Sequence, residues 1–259
     1  MVQSLKKCEE MSGFEVAEQR VQKAKASNDN CLDLNNLGLD AIPESVSELS
    51  RLQTLLLFNN QIRAIPECLG RLEALQHIQL SRNQLGLIPE SLGQLKHLQV
   101  LHLDSNRLRS LPESMGQLQE LKSLRVDENY LCRIPDGVGR LENLQELSLN
   151  NNSLTSLPES LRLLQKLEEL DLSNNKLSSV PECLGRIQNL RVLWLQNNQI
   201  GTIPSHLAQL ENLQSLFIFG NRITHVADNL SQLPKLEEIH LQDNDLTFFP
   251  ECLSLTCPH

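Results

Sequence analysis

The chain has 259 residues, of which 40% are hydrophobic and only 3% aromatic, so its core must be almost entirely aliphatic. It carries 23 Lys and Arg against 32 Asp and Glu, a formal net charge of −9. Affinity for nucleic acid comes largely from Lys and Arg side chains that neutralise phosphates, so this charge disfavours nucleic acid as a partner. The 21% of charged residues, together with abundant leucine, excludes a disordered chain.

The N-terminal segment, residues 1–30, is predicted to form a helical cap. Ser12 and Glu15 have the spacing of a capping box, in which each side chain binds the backbone N–H of the other residue. One face of the helix that follows carries apolar residues: Phe14, Ala17, Val21 and Ala24. Because the end of a repeat protein exposes apolar side chains, we expect this face to cover it. The alternative is a free helix that binds a partner.

The sequence shows no pattern typical of export or of membrane insertion. Residues 1–10 contain no apolar stretch of signal-peptide length, and no run of about 18 apolar residues occurs anywhere. The seven cysteines are an odd number, which does not suit a disulfide framework, and only Cys252 and Cys257 are expected to be able to meet. The prediction is a cytoplasmic protein with no membrane partner.

Residues 31–255 are predicted to form about ten repeats of 23 residues, followed by a tail at 256–259. An asparagine recurs at this period without exception: Asn60, Asn83, Asn106, Asn129, Asn152, Asn175, Asn198, Asn221 and Asn244. Each lies in the pattern L-x-L-x-x-N-x-L, in which isoleucine or valine sometimes replaces leucine. Proline recurs at the same spacing from Pro43 to Pro250, with Ala227 in its place once. Two features that share one period indicate a repeat protein.

Each repeat is predicted to contain one short strand and one short outer helix. The alternation L-x-L is typical of a strand whose leucines point inward. The asparagine can bind turn backbone that would otherwise be buried and unpaired. The proline fixes φ and begins an outer segment whose apolar residues recur every three positions, which suits a short helix or 3-10 helix. Ala227 replaces the proline in one repeat, and the sequence leaves open whether the outer segment of that repeat winds differently.

These motifs resemble the leucine-rich repeat family, specifically its 23-residue class with the pattern L-P-x-x-L, which occurs in proteins of the Ras-suppressor and Scribble type and in many bacterial proteins. The resemblance implies an α/β fold, a curved horseshoe solenoid with a parallel β-sheet on the concave face and short helical or 3-10 segments on the convex face. It also implies that the concave face binds protein.

The period predicts that the residues two, four and six positions before each asparagine face solvent on the concave sheet. Four of the eight aromatic residues fall at these positions: Phe58, Trp194, Phe217 and Phe219. Clustered exposed aromatics are typical of interaction hot spots, so Trp194, with Val192 beside it, is predicted to anchor a protein partner. The alternatives are a terminal segment folded over these side chains, or neutral drift.

The other predicted contacts are mostly acidic or titratable: His102, Asp104, Arg125, Asp127, Glu146, Glu169, Asp171 and His240. Their negative charge favours a basic partner, and a solvated polar sheet that keeps the protein soluble is the alternative.

No sequence motif indicates catalysis. The patterns G-x-x-x-x-G-K-[ST], G-x-G-x-x-G, G-x-S-x-G and H-E-x-x-H are absent. His102 and His240 share a column but lie six repeats apart, roughly 29 Å at ~4.8 Å per strand, so they cannot share a metal. The prediction is a monomeric, non-enzymatic scaffold that needs no cofactor or metal. The alternative is a secreted bacterial effector that acts in a host cytosol on a small GTPase or on ubiquitin machinery.

Overall fold

The computed structural model describes residues 11–247, and its secondary structure follows the 23-residue period. Helix α1 spans Gly13–Ser27. The strands are β1 Cys31–Asp33, β2 Thr54–Leu56, β3 His77–Gln79, β4 Val100–His102, β5 Ser123–Arg125, β6 Glu146–Ser148, β7 Glu169–Asp171, β8 Val192–Trp194, β9 Thr202–Ile203, β10 Ser215–Phe217, β11 His225–Val226 and β12 Glu238–His240. The 3-10 helices are Glu44–Glu48, Glu67–Arg71, Glu90–Gln94, Glu113–Gln117, Asp136–Arg140, Glu159–Leu163, Glu182–Arg186, Ser205–Gln209 and Asp228–Gln232.

Ten strands form one parallel sheet in the order β1-β2-β3-β4-β5-β6-β7-β8-β10-β12. Each pair joins equivalent positions of consecutive repeats, as when Leu101 lies opposite Leu124. The predicted α/β leucine-rich repeat solenoid, with a parallel sheet and short 3-10 helices, is therefore confirmed. The outer surface of this ten-stranded sheet, which carries the side chains that alternate with the buried leucines, is called the sheet face below.

The core is one continuous aliphatic cluster that runs through all the described repeats. Both leucines of the L-x-L pattern are fully buried, for example Leu101 and Leu103. No aromatic side chain of residues 11–247 belongs to the cluster. Leucine side chains from consecutive repeats bury one another, which no single repeat could achieve alone.

The recurring asparagines form a ladder that joins each repeat to the one before it. Asn106 Nδ2 donates to the carbonyls of Leu103 and Asp104 in its own repeat, at 2.9 and 3.3 Å, and to that of Leu80 at 3.0 Å in the preceding one. Its Oδ1 accepts from the Leu85 N–H at 2.9 Å. The same links between repeats recur at all nine asparagines. The predicted role of this residue is confirmed.

The residue before each ladder asparagine has a left-handed backbone conformation, which the sequence interpretation did not anticipate. These residues are Asn59, Arg82, Ser105, Glu128, Asn151, Asn174, Asn197, Gly220 and Asp243. Their φ angles lie between 50° and 64°. Asn, Asp and Gly tolerate this region well, which explains six of the nine residues, but Arg82, Ser105 and Glu128 adopt it at an energetic cost that the ladder bonds offset.

Helix α1 confirms the capping box but corrects the position of one residue. The Ser12 N–H donates to Glu15 Oε2 at 2.8 Å, and the Glu15 N–H donates to Ser12 Oγ at 3.2 Å. The buried residues of the helix are Ala17, Val21 and Ala24. Phe14 was expected on this face but is 45% exposed. Gly13 takes its place, because a Cβ there would lie 1.7 Å from Leu37 O, so only glycine fits against the first repeat.

Ala227 adds a hydrogen bond and does not change the outer helix. The 3-10 helix Asp228–Gln232 forms as in the other repeats. Unlike proline, Ala227 has an N–H group, which donates to Ile203 O at 3.0 Å. The adjacent strands β9 and β11 pair as a second, two-stranded parallel sheet. The different winding that the sequence left open does not occur in this 3-10 helix, and the N–H of the alanine instead supports the local sheet.

Several sequence predictions concern residues that the structure does not describe. The start of the cap at residues 1–10, the end of the solenoid at 248–255 and the tail at 256–259 lie outside the described residues, as does the Cys252–Cys257 pair. Within residues 11–247, Cys31, Cys68, Cys132 and Cys183 are free thiols. In the same range no helix is both long enough and apolar enough to cross a membrane.

Five of the nine described 3-10 helices approach the helix of the next repeat closely at a glycine. A Cβ on Gly70 would lie 2.3 Å from Ser91 O, and one on Gly93 would lie 2.4 Å from Ser114 O. Atoms do not approach this closely, so glycine allows the outer segments to stack at the spacing that the sheet imposes.

We expect Asn106→Ala to lower the free energy of unfolding by at least about 2 kcal/mol, because it leaves buried backbone groups of two repeats without partners. Asn189→Ala is the matched control, since this exposed side chain also joins two repeats, through one bond to Gln165 O. It should cost less than about 1 kcal/mol. Urea denaturation measures both, and equal losses would contradict the special role of the ladder.

Gly93→Ala should lower the free energy of unfolding by about 2 kcal/mol or more, because its Cβ would overlap Ser114 O. Gly86→Ala is the control: a Cβ there has no neighbour within 4 Å. It should be neutral or stabilise by about 0.4–1 kcal/mol, since alanine restricts the unfolded chain. Thermal and urea unfolding of both variants test this difference, and a stable Gly93 variant would refute the close packing.

Candidate functional site

The first and third residues of each strand present their side chains on the sheet face. Trp194, Phe217 and His240 are the third residues of β8, β10 and β12 and lie in register with one another. The sheet register places equivalent side chains only ~4.8 Å apart, which favours stacking of flat rings. The predicted column of aromatic residues is therefore set by the same register that builds the core.

The three rings form a continuous stack, called the aromatic ladder below. The ring centroids of Trp194 and Phe217 are 6.0 Å apart with planes inclined by 10°. Those of Phe217 and His240 are 4.8 Å apart at 18°. All three side chains are half-buried and lie outside the leucine core, as do the flanking Val192 and Phe219. The structure thus places these five predicted site residues together on the sheet face.

An acidic network lies next to the aromatic ladder, in strands β5 to β7 and the turns that follow them. Asp127 Oδ1 accepts hydrogen bonds from Ser148 Oγ, from the Asn150 N–H at 3.0 Å and from Asn150 Nδ2 at 2.9 Å. Asn150 Nδ2 also donates to Asp171 Oδ2 at 3.2 Å. Asp171 Oδ1 accepts from the N–H and hydroxyl of Ser173 at 2.9 and 2.7 Å. The amide of Asn150 therefore bridges two carboxylates.

Burial raises the pKa of the Asp127 carboxyl to about 6. The bonds from Ser148 and Asn150 oppose this shift, whereas the negative charges of Asp171 and Asp104 add to it. The folded protein consequently binds a proton at Asp127 more tightly than the unfolded chain does.

The single predicted base, Arg125, is already paired. Its Nη2 lies 2.5 Å from Glu146 Oε1, and its Nε donates to the same oxygen at 2.6 Å. Glu146 Oε2 also accepts from Ser123 Oγ at 2.8 Å. Arg125 and Glu146 thus compensate each other, and Asp127, Glu169 and Asp171 supply the net charge of this part of the sheet face.

A cleft of about 270 Å³ opens between these groups, and we call it the acidic cleft. Its lining residues are Arg125, Asp127, Glu146, Leu147, Ser148, Asn150, Glu169, Asp171 and Trp194. Trp194 forms its aromatic wall, and four carboxylates, those of Asp127, Glu146, Glu169 and Asp171, dominate the remaining lining. One ring of the aromatic ladder therefore borders a strongly acidic depression.

The remaining predicted residues are not part of this group. Phe58 follows β2, six strands from Trp194, and packs under the guanidinium of Arg82, whose Cζ is 5.5 Å from the ring centroid. His102 and His77 contact each other edge to face with centroids 5.8 Å apart. Burial lowers the pKa of His102, and the charge of Arg125 adds to this effect.

The other two polar side chains have local partners. Asp104 Oδ1 accepts from Ser81 Oγ at 2.5 Å. His240 Nε2 lies 2.5 Å from Glu238 Oε1. Both contacts tie the side chains to neighbouring positions of the sheet face.

The prediction that all these columns face solvent is wrong for three serines: Ser81, Ser148 and Ser173 are buried. A short side chain in a column of longer ones is covered by its neighbours, as Ser148 is beside Asp127 and Asn150. The sheet face is therefore uneven, and its depressions occur where serine alternates with larger residues.

A larger cleft of about 470 Å³ lies among the 3-10 helices, away from the sheet face, and is lined in part by Leu87, Arg133 and Asp136. Its carboxylates have structural roles. Glu90 Oε2 accepts from the Ser114 N–H at 3.1 Å, and Glu113 Oε2 accepts from the Gly137 N–H at 2.8 Å. Size alone therefore does not make this cleft the better candidate.

Among residues 11–247, no group of three or more His, Cys, Asp or Glu side chains is arranged to hold a metal ion. The residues that characterise the acidic cleft are therefore its carboxylates and Trp194.

Asp127→Asn tests the electrostatics of the cleft. A pKa raised to about 6 means that the contribution of Asp127 to stability is present below about pH 4 and lost as the pH rises through 6. Asparagine keeps the accepting oxygen but cannot ionise, so the variant should be more stable by about 1 kcal/mol near pH 8, allowing for solvent screening, and equal near pH 4. Urea denaturation across this range measures the difference. A less stable variant near pH 8 would contradict the assignment.

Comparison with known proteins agrees with the fold. A family model described as a leucine-rich repeat region matches residues 67–173. A second model, the leucine-rich repeats of leucine-rich repeat and WD repeat-containing protein 1, matches residues 158–255. None of the curated proteins compared with the chain shows significant sequence similarity to it.

Solved structures give a broader match. The Leptospira interrogans LRR protein LIC12759 is 35% identical with a TM-score of 0.86, over 90% of this chain and 60% of that protein. The plant peptide hormone receptor RGFR1, solved in complex with RGF2, is 32% identical with a TM-score of 0.75, over 83% of this chain and 36% of the receptor. The ectodomain of GASSHO1/SCHENGEN3 from Arabidopsis thaliana, in complex with CASPARIAN STRIP INTEGRITY FACTOR 2, is 31% identical with a TM-score of 0.77, over 88% and 29%.

The chain thus spans less than two thirds of each of these proteins. The two family models together extend from residue 67 to residue 255, and the similar structures match this chain at TM-scores of 0.75 to 0.86. Membership of the 23-residue class in particular stays a prediction. The chain belongs to the leucine-rich repeat family.

Proposed function

We propose that this protein is a non-enzymatic scaffold that binds a protein partner on its sheet face, with the aromatic ladder as the anchor. The observation that carries this proposal is the position of Trp194 and Phe217, half-buried on the sheet face while the described core is entirely aliphatic. A folding chain would bury such rings first if packing were their only use. Exposed rings that stack on one another are typical of binding hot spots.

The rigidity of the platform supports the proposal. Strand β8, for example, is fixed on its inner side by the buried Leu193 and Leu195 and at its end by Asn198. The stacked rings therefore have little freedom to lose when a partner covers them. A preorganised surface converts more of its buried area into affinity than a mobile one does.

The related structures are consistent with a binding role. RGFR1 and GASSHO1/SCHENGEN3 were each solved in complex with another molecule, named RGF2 and CASPARIAN STRIP INTEGRITY FACTOR 2. The leucine-rich repeat fold commonly mediates protein–protein interaction, and it is typical of scaffolds without catalytic activity. We extend that role to this chain as part of the proposal.

The compartment and the physiological context stay predictions. A cytoplasmic scaffold should be found with partners of its own cell. An exported bacterial effector would instead be found in the medium of wild-type cells but not of cells that lack a secretion system. Fractionation of tagged protein distinguishes these two cases.

The test removes the anchor from the sheet face. Partners captured from a lysate by the wild-type protein are identified and purified, and their affinity for the double variant Trp194→Ala, Phe217→Ala is measured directly by calorimetry. We expect a loss of about 2 kcal/mol or more, because a hot-spot pair is truncated. Circular dichroism should show an unchanged fold, since neither ring belongs to the core.

Leu163→Ala is the matched control for this experiment. Leu163 is 51% exposed and lies in a 3-10 helix, away from the sheet face. Its truncation should leave the affinity unchanged. If the double variant binds the purified partner as tightly as the wild type does, the aromatic ladder is not the anchor.

A further inference from the structure

We infer that the acidic cleft receives an arginine side chain of the partner, so that the partner presents a short segment in which an arginine adjoins an apolar residue. This inference rests on the proposed function, since it assumes that a protein covers the aromatic ladder. The ladder would bind the apolar residue, and the cleft beside Trp194 would bind the guanidinium group.

Charge complementarity selects a cation for the cleft. Asp127, Asp171 and the exposed Glu169 have no ion-pair partner among residues 11–247. Arg125 does not compensate them, because it is held by Glu146. The register places Glu169 beside Glu146, whose charge is already compensated by Arg125, so the charge of Glu169 has no partner of its own in this part of the sheet. A cation from a partner would compensate Glu169 and the two aspartates.

The carboxylate oxygens of the cleft that accept no hydrogen bond favour a ligand group with several hydrogen-bond donors. The hydrogen bonds to Asp127 all reach Oδ1, and within the described residues its Oδ2 accepts none. The carboxylate of Glu169 likewise accepts no hydrogen bond in that part of the chain. A guanidinium group has five N–H donors in a planar fork, which suits two carboxylates at once.

The aromatic wall favours a planar cation. Phe217 stacks on one face of the Trp194 ring at an angle of only 10°. The opposite face is directed along the sheet toward β7, where Asp171 is the register partner of Trp194. A cation over a tryptophan face gains cation–π energy, and a guanidinium group also stacks on the ring, which an ammonium group cannot do.

The size of the cleft suits a single long side chain. Its volume of about 270 Å³ is below the ~300–1,000 Å³ typical of pockets that enclose whole small molecules. The cleft is also open to the sheet face and adjoins the aromatic ladder directly through Trp194. A side chain from a segment that lies across the ladder fits this geometry better than a separate ligand does.

The test uses Trp194 as its own reporter, because it is the only tryptophan in the chain. The probe is a blocked pentapeptide with a central arginine flanked by leucines and terminal glycines. Matched probes replace the arginine with citrulline, which has the same shape without the charge, or with lysine. We expect the arginine peptide to change the Trp194 fluorescence and to bind at least about tenfold tighter than the citrulline peptide, as a charge-assisted contact requires.

Variants locate the contact within the sheet face. Glu169→Gln combined with Asp171→Asn should weaken the arginine peptide about tenfold and leave the citrulline peptide unchanged. Asp33→Asn is the control, because it removes one exposed carboxylate from the same column six strands away. It should change neither affinity by more than about twofold, since exposed charges at that distance are screened by salt.

The outcomes separate this inference from the proposed function. Equal binding of the arginine and citrulline peptides, or of the arginine and lysine peptides, overturns the arginine assignment, as does the absence of any fluorescence response at millimolar arginine peptide. In each of these cases the aromatic anchor is judged separately, by the affinity of the captured partner for the Trp194 and Phe217 double variant. If the Glu169→Gln, Asp171→Asn variant loses affinity for the arginine peptide and the Asp33→Asn control does not, the acidic cleft is supported as the arginine site.

Discussion

The structure depends on one constraint: backbone groups at the end of each strand are buried and must find hydrogen-bond partners. The ladder asparagine meets this requirement with a single side chain that contacts its own repeat and the preceding one. Because the partner atoms belong to the neighbouring repeat, the bonds fix the spacing and the register of the stack together. The left-handed residue before each asparagine, and the glycines between the outer helices, are local adjustments to that fixed spacing.

Exact register has different consequences for different side chains, because each residue faces its own equivalents in the next repeats. Leucines gain a continuous core, and flat rings gain a stack, as in Trp194, Phe217 and His240. The same geometry is unfavourable for carboxylates, because it brings groups of like charge close together. The charges of Asp171 and Asp104 add to the burial that raises the pKa of the Asp127 carboxyl. An uneven, acidic sheet face with an aromatic edge is therefore a surface that a suitable partner would stabilise.

The candidate site shows which features the 23-residue period can predict and which it cannot. The spacing from the asparagine correctly placed Trp194, Phe217 and His240 in one column, because strand alternation and parallel register are properties of the pattern. It could not show that Asn150 bridges Asp127 and Asp171, or that Arg125 pairs with Glu146, because these contacts depend on side-chain length and rotamer. It also overestimated the exposure of the serines, whose burial is decided by longer neighbours.

The sequence by itself determined the leucine-rich repeat architecture, the aliphatic core, the ladder and the choice of side chains that face outward. All of these follow from hydrogen bonding and burial rules that act identically in every repeat. Only the tertiary structure decided where the repeats differ: the exposure of Phe14, the small sheet made possible by Ala227, and the acidic cleft beside Trp194. Each of these depends on distances between side chains that are unlike from one repeat to the next, and a period carries no information about such differences.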